Sequence, residues 1–457
     1  MKRNSHKIAS LFLAITGIVS AVAAQDVVAT DDIRPKVDEY MNARLAAKNV
    51  GGSIMIAKNG QMIVSKGFGL ADVAANTPIY GDTKFRIGSI TKQFTAASIL
   101  LLQEDGKLNV EDPFCNYMES CPDAWKPVTI RNLATMSSGI PSFTGLPEFR
   151  ELRKKDMKPA ESIGLVKDLP LKAKPGEVFE YSNTNYIILG MIVEKLSGKT
   201  YEQFLADRIT KPLGLKNTGY DHGKERLKLS ALGYSLKEDA VVPAEVASMM
   251  VPFSAGSLYS TTGDLHKWNV ALHGGKLYKK PETLTLMLTP SKNDYAFGLN
   301  VRTDSKGRKR ISHGGGIEGF LSEAAYYPND KLFMAVLVNN DRAPAGEVIR
   351  TLTAIYDGDK YVLPKKRVAV KVDVAILDKY VGEYEMSPEM KFKFTREGDG
   401  LVLLPTGQSK AQVYAESDTE FFLKVVEASF KFEKDASGKV TGIEFTQGGR
   451  TSKMRKL

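Results

Sequence analysis

From Asp31 to Ala47 the apolar residues Ile33, Val37, Tyr40, Met41 and Leu45 fall at helical spacing, so the pattern predicts a helix there. Two apolar stretches, 53–57 and 61–65, flank Asn59-Gly60, a dipeptide that favours the tight turn of a β-hairpin. A long, mostly helical region follows, with helices predicted near 89–105, 129–136, 185–197 and 200–209. Gly106 and Gly198 are placed to end two of them, because glycine readily takes the left-handed conformation that stops a helix. Strands return at 322–327 and 332–339 around Pro328-Asn329-Asp330, and a helix is predicted over 345–356. Strands at both ends of a helical middle predict a sheet assembled from distant parts of the chain. That is an α/β (α+β) architecture, not an alternating doubly wound one.

Beyond Gly358 the pattern changes. Pro364-Lys365-Lys366-Arg367 reads as linker, and short alternating stretches follow at 380–384, 391–396, 401–404, 412–415, 421–425, 429–433 and 442–446. Gly398-Asp399-Gly400 and Asp435-Ala436-Ser437-Gly438 separate some of them with turn residues. Six or seven short strands at regular spacing predict a small antiparallel barrel or sandwich. The expected organisation is a main domain over 25–358, a linker over 359–372 and a β-barrel over 373–457.

Composition narrows the class of protein. With 457 residues, 43% hydrophobic and 25% charged, the chain has material for a real core, which excludes a disordered, collagen-like or coiled-coil protein. The net charge of +10 comes from 63 basic and 53 acidic residues spread along the chain, and no run exceeds Lys365-Lys366-Arg367. Nucleic-acid binding needs a clustered basic patch, so no nucleic-acid partner is expected. At the start, Lys2, Arg3 and Lys7 precede an apolar run over 8–19 and the small residues Ser20-Ala21-Val22-Ala23-Ala24. This is the pattern of a secretory signal peptide over 1–24, and it predicts an exported protein, periplasmic or secreted. No later apolar segment is long enough to span a bilayer, so no stable membrane insertion is expected after cleavage. Cys115 and Cys121 are the two cysteines, close together in a proline-flanked stretch, and an oxidising compartment predicts a disulfide between them. Their spacing and that of the five histidines match no metal-ligand pattern, so neither a metal nor a cofactor is expected.

The sharpest local chemistry is Phe85-Arg86-Ile87-Gly88-Ser89-Ile90-Thr91-Lys92. Ser89 is predicted to open a helix, with Lys92 three residues on and on the same face. A serine hydroxyl is a poor nucleophile until a neighbouring base takes its proton, and a lysine can do so once burial lowers its pKa. By itself Ser-x-x-Lys is weak, with about one or two chance matches in a chain this long. It fits a capping serine beside a solvated lysine equally well. Tyr181-Ser182-Asn183, ahead of a second helix, adds a phenol and an amide, although Tyr181 also fits a half-buried tyrosine where a helix begins. His313-Gly314-Gly315-Gly316 reads as a strand stripped of side chains so that another backbone can approach, with a substrate along that edge as the expected occupant. A bulge or turn would need the same glycines.

In order, Ser-x-x-Lys, Tyr-x-Asn and His-x-Gly resemble the three signatures of the penicillin-recognising serine hydrolases. That group includes class C β-lactamases, D-alanyl-D-alanine carboxypeptidases, D-aminopeptidases and related esterases. Residues 133–140 and 260–265 are similar to supporting stretches of the group, and the resemblance covers roughly 30–356. The tail resembles the lipocalin-like domain appended to some members. The resemblance implies a penicillin-binding-protein/β-lactamase-like fold, with an antiparallel sheet and a helical region. It also implies an acyl-enzyme: Ser89 attacks, Lys92 and Tyr181 manage the proton, and the N–H groups of Ser89 and Gly316 hold the oxyanion. Asn183, His313, Gly315 and Gly316 would line the substrate. Two departures bear on function. The strand motif carries His313 where β-lactamases carry lysine, which resembles the peptidase and esterase branches. Gly-x-Ser-x-Gly does not occur, which excludes an α/β-hydrolase. The expected function is an exported serine hydrolase acting on small peptides or esters. A β-lactamase, or a penicillin-binding protein that is acylated without turnover, is the alternative.

Overall fold

A computed structural model describes residues 32–48, 51–237, 240–245, 247–424, 428–447 and 450–457. The expected signal segment over 1–24 lies outside the described residues. The central sheet has six antiparallel strands, in spatial order Asn300–Thr303, Lys309–Ile317, Phe320–Tyr327, Leu332–Val338, Gly52–Lys58 and Gln61–Phe68. The N-terminal hairpin turns at Asn59 and Gly60, with φ of 51° and 78°. It docks on the late strands, with Gly52 opposite Val338 and Lys58 opposite Leu332. Leu332–Val338 reads Leu-Phe-Met-Ala-Val-Leu-Val and is buried at every position, as a strand covered on both faces must be. Leu332, Met334, Val336 and Val338 pack under helices Arg34–Lys48 and Ala345–Asp357, alongside Val37, Met41 and Leu352. Phe333, Ala335 and Leu337 face the helical region instead. Period-two alternation therefore serves two cores at once.

In the helical region, Thr91–Glu104 is buried without a break from Thr91 to Leu102 and packs beside Asn183–Ser197. Gly106 and Gly198 end these two helices with φ of 71° and 68°. Other expectations need correction. Ser89 does not open the α-helix: it lies in a 3-10 turn, Gly88–Ile90, and the α-helix starts at Thr91. The helix expected over 200–209 is α only from Tyr201 to Leu205 and continues as a π-type turn, Ala206–Thr210. Strand Asn300–Thr303, hairpin Tyr234–Lys237 with Ala240–Pro243, and helix Pro281–Leu288 are additions that the hydrophobic pattern does not announce. Cys115 and Cys121 are joined as a disulfide, with Cα atoms 5.6 Å apart.

The C-terminal region is a closed barrel of eight antiparallel strands in sequence order, from Gly382–Ser387 to Arg450–Lys456. The eighth strand, missed in the sequence, closes the cylinder by pairing with both Val440–Gln447 and Gly382–Ser387. Its basic residues carry no apolar alternation, and Met454 is its one side chain in the barrel core. Ahead of the barrel, Asp359 pairs with Lys306 and Tyr361 lies edge-on to Tyr40. Lys365 and Arg367 pair with Glu416, and the Val370 N–H donates to the Ala415 carbonyl. Among the described residues, no helix is long and apolar enough to cross a membrane.

Candidate active site

The turn that carries Ser89 is pinned from two sides. The Ile87 N–H donates to the Leu258 carbonyl, and the Ser322 hydroxyl donates to the Ile87 carbonyl at 2.9 Å. Gly88 has φ of 49°, and a Cβ there would sit 2.8 Å from the Gly316 nitrogen. A Cβ on Gly315 would lie 2.0 Å from the Ile87 carbonyl oxygen. Gly315 therefore accommodates the nucleophile's own turn, not a substrate backbone as the sequence suggested. Gly316 is the exposed member of the motif. Strand Asn300–Thr303 pairs only with residues 309–312, so the stretch from His313 onward has a partner strand on one side alone.

Two groups converge on the Ser89 hydroxyl. Lys92 Nζ donates to Ser89 Oγ at 2.9 Å, and Tyr181 OH lies 3.0 Å from the same oxygen. Lys92 is fully buried, whereas Tyr181 is 37% exposed, so one group works in the interior and the other meets solvent. The lysine has three N–H bonds and three acceptors: Ser89 Oγ, Asn183 Oδ1 at 2.9 Å and the Ala255 carbonyl at 2.8 Å. Burial pushes the Lys92 pKa down, with Tyr181 acting in the opposite direction. The uncharged amine, a base, is thereby brought nearer to neutral pH.

Sequence reasoning missed several groups. The Ala255 carbonyl belongs to a one-turn helix, Phe253–Gly256, that starts at Phe253 in a left-handed conformation with φ of 39°. The Ser254 hydroxyl anchors it to the Tyr186 carbonyl at 2.7 Å. A backbone acceptor leaves no trace in residue identity. Thr144 accepts from Asn183 Nδ2 at 3.0 Å, so this amide is held by Thr144 at one end and Lys92 at the other. Tyr295 stands edge-on to Tyr181, with ring centroids 6.3 Å apart.

His313 is placed differently from the expectation. It is only 4% exposed and does not line the cleft beside Ser89. Its Nδ1 lies 2.5 Å from the Gly314 carbonyl and its Nε2 3.0 Å from Tyr295 OH. A carbonyl only accepts, so Nδ1 carries the proton and Nε2 accepts from the tyrosine. Burial, followed by the nearby Lys92 charge, lowers the His313 pKa to about 4, and the ring is neutral at pH 7. Arg86, a nearby cation in sequence, is tied to Asp221 at 2.7 Å. Ser89, Lys92, Tyr181 and Asn183 thus come together, Gly316 lines the cleft with Ser89, and Gly315 and His313 lie behind it.

This geometry has relatives. The family profile described as Beta-lactamase matches residues 34–357. A profile described as a domain of unknown function (DUF3471) matches residues 366–454. Penicillin-binding protein 4* of Bacillus subtilis (strain 168) is 27% identical over 412 residues, covering 84% of this chain and 91% of that protein. The putative penicillin-binding protein PbpX of the same strain is 31% identical over 314 residues, covering 67% and 75%. Among solved structures, the octameric penicillin-binding protein homologue from Pyrococcus abyssi has a TM-score of 0.66 and 27% identity, covering 92% of this chain and all of that one. A D-stereospecific amidohydrolase from Streptomyces sp. has a TM-score of 0.61 and 25% identity, covering 72% and 99%. With one profile spanning most of the chain and a hydroxyl, amine and phenol meeting at one point, this chain is a β-lactamase-related serine hydrolase of the Beta-lactamase family.

Proposed function

We propose that this protein cleaves amide or ester bonds of small peptides or esters through an acyl-enzyme on Ser89. The supporting observation is the position of Ser89 Oγ, 2.9 Å from Lys92 Nζ and 3.0 Å from Tyr181 OH, at the wall of a cleft of about 210 Å³. In its neutral form Lys92 keeps two N–H bonds, for Asn183 and Ala255, and as Oγ attacks the carbonyl carbon its lone pair takes the hydroxyl proton. The N–H groups of Ser89 and Gly316 hold the developing oxyanion. Tyr181 gives its proton to the leaving amine or alkoxide. The resulting phenolate then takes a proton from the water that attacks the acyl-enzyme, and Lys92 returns its proton to Ser89. Each group ends in its starting state.

Esters or peptides are the preferred substrates in this reading, ahead of β-lactams. A neutral, buried His313 supplies no cation for the carboxylate that β-lactams carry, and losing such a charge weakens binding by roughly 1–3 kcal/mol. The penicillin-binding names of the relatives favour a second reading, in which a β-lactam acylates Ser89 and is released slowly or not at all. Export belongs to the same proposal. It rests on the basic, apolar and small-residue order over 1–24 and on the Cys115–Cys121 disulfide, a bond kept in oxidising compartments.

The deciding experiment compares kcat/KM on a p-nitrophenyl acyl ester, a D-alanine-containing peptide and a chromogenic cephalosporin. It is paired with the release rate of a fluorescent penicillin from Ser89. The ester or peptide should lead. A cephalosporin value well above both, or a penicillin label that forms and stays without turnover of any substrate, overturns the reading.

A further inference from the structure

The cleft beside Ser89 is walled by Phe143, Phe149, Val251, Pro252 and Ile317, with Thr144 and Asn183 as its uncharged polar side chains besides Ser89 itself. One charged residue lines it among the described residues, and it is an acid, Glu318. Glu318 lies in the tight turn between strands Lys309–Ile317 and Phe320–Tyr327, two residues beyond Gly316. The following Gly319 has φ of 76°, and a Cβ there would sit 2.6 Å from the Gly233 Cα, so this turn is held against its neighbour.

The Glu318 side chain is ion-paired. Arg153, next after the short helix Phe149–Leu152 that supplies Phe149, donates from Nη1 to Glu318 Oε1 at 2.6 Å. Its Nη2 donates to Glu245 at 2.8 Å, and Lys154 also pairs with Glu245 at 2.9 Å. Both members of the Arg153–Glu318 pair are mostly covered, with side-chain exposures of 24% and 19%. Glu318 lines the cleft, whereas Arg153 is not among the lining residues. An acyl donor in the cleft therefore meets apolar walls and one acidic residue, whose carboxylate is bonded to Arg153.

We propose that the Arg153–Glu318 pair is a charge selector: the cleft accepts acyl donors with an uncharged apolar chain and rejects those whose chain carries a carboxylate. The inference rests on the acyl-enzyme reading above and adds the substrate's charge to it. Like charges brought together where water is partly excluded repel, and this repulsion discriminates between ligands of equal size. The two halves of the pair make opposite predictions. Removing the carboxylate takes away the repulsion and leaves Arg153 with a free N–H beside the cleft. Removing the guanidinium leaves Glu318 without its partner and strengthens the repulsion.

The test uses two p-nitrophenyl esters of equal acyl length, one ending in a methyl group and one in a carboxylate. The quantity read is the ratio of their kcat/KM values, in which a general loss of folded protein cancels. The unaltered protein should favour the methyl-ended ester by about tenfold. Glu318→Gln should narrow the ratio by about fivefold or more, and Arg153→Gln should widen it. The inference is overturned if the carboxylated ester is the better substrate of the unaltered protein. It is equally overturned if the two variants move the ratio in the same direction or leave it unmoved. Fluorophosphonate labelling of Ser89 separates the two levels. A protein that labels but shows no charge dependence overturns the selector alone, and one that does not label overturns the hydrolase reading and the selector with it.

Discussion

In the barrel, Tyr380 stacks on Phe432 with ring centroids 3.9 Å apart, and Tyr384, Phe394, Phe421 and Phe430 meet Phe432 or one another edge-on within 5.7 Å. In the hydrolase region the comparable central volume holds Lys92, Asn185, Ser254 and His313, all nearly or wholly buried. Tyrosine hydroxyls apart, every buried polar or charged side chain among the described residues precedes residue 354, and in the barrel the Tyr384 hydroxyl donates to the Tyr380 carbonyl. The difference separates two uses of a protein interior. Buried polar groups are costly unless each finds a partner, and they persist where they do chemistry, as the three acceptors of Lys92 illustrate. Rings fill the barrel core, and the cavity of about 460 Å³ beside them is lined in part by Leu377, Leu401, Val413 and Phe421. The barrel is thus held by ring packing, whereas the catalytic region is built around partnered polar groups.

The largest expected effects test the reactive side of this contrast. Ser89→Ala should abolish fluorophosphonate labelling while circular dichroism stays unchanged, and persistent labelling would assign the nucleophile elsewhere. Tyr181→Phe should lower turnover by about 10²- to 10⁴-fold, the usual contribution of a positioned acid–base group. Turnover close to normal would leave Lys92 as the sole base.

The inert side is probed by Phe432→Ala, which removes the ring that meets Tyr380, Tyr384, Phe394 and Phe421. It should destabilise the barrel by about 3–5 kcal/mol, read as an earlier unfolding transition, with Ser89 labelling retained. Lost labelling below that transition would mean the barrel supports the site after all.

A smaller effect concerns pH. The pKa of His313 is about 4 in the folded protein, below the 6.5 of a free imidazole, so the unfolded chain binds its proton first. Its contribution is complete above pH 6.5 and fades as pH falls toward 4, by up to about 3 kcal/mol. His273, stacked on Tyr326 and also lowered to about 4, adds a similar slope. Denaturant midpoints from pH 7 to 4.5 should therefore fall less steeply for His313→Gln than for the unaltered protein. Equal slopes would show that His313 titrates normally. The smallest effect is expected from ending the chain after Val362, which keeps the Asp359–Lys306 and Tyr361–Tyr40 contacts. Acylation of Ser89 should stay within about threefold, as befits a region with its own core. Its loss from an otherwise folded fragment would make the barrel part of the site.

Much of this molecule is legible in its residues alone. The Asn59-Gly60 hairpin, the helix stops at Gly106 and Gly198 and seven of the eight barrel strands follow from rules spanning only a few residues. Ser89 and Lys92, three apart at the start of a helix, meet because one helical turn brings them together. The eighth barrel strand escaped because closing a cylinder needs main-chain partners more than an apolar pattern, and its outward lysines and arginines hide the strand.

What the sequence alone determined was the set of reactive residue types, their order along the chain and the local elements that carry them. Tertiary structure decided which of them meet. The Ala255 carbonyl joined Lys92 across 163 positions, and Tyr181 joined Ser89 across 92. His313 turned toward Tyr295 instead of the cleft, and Arg153 reached Glu318 from 165 residues away. A motif records identity and spacing, both set over a few bonds. Burial, the neutrality of His313 and the lowered pKa of Lys92 depend on which distant segments exclude water around them, and only the packed chain specifies that.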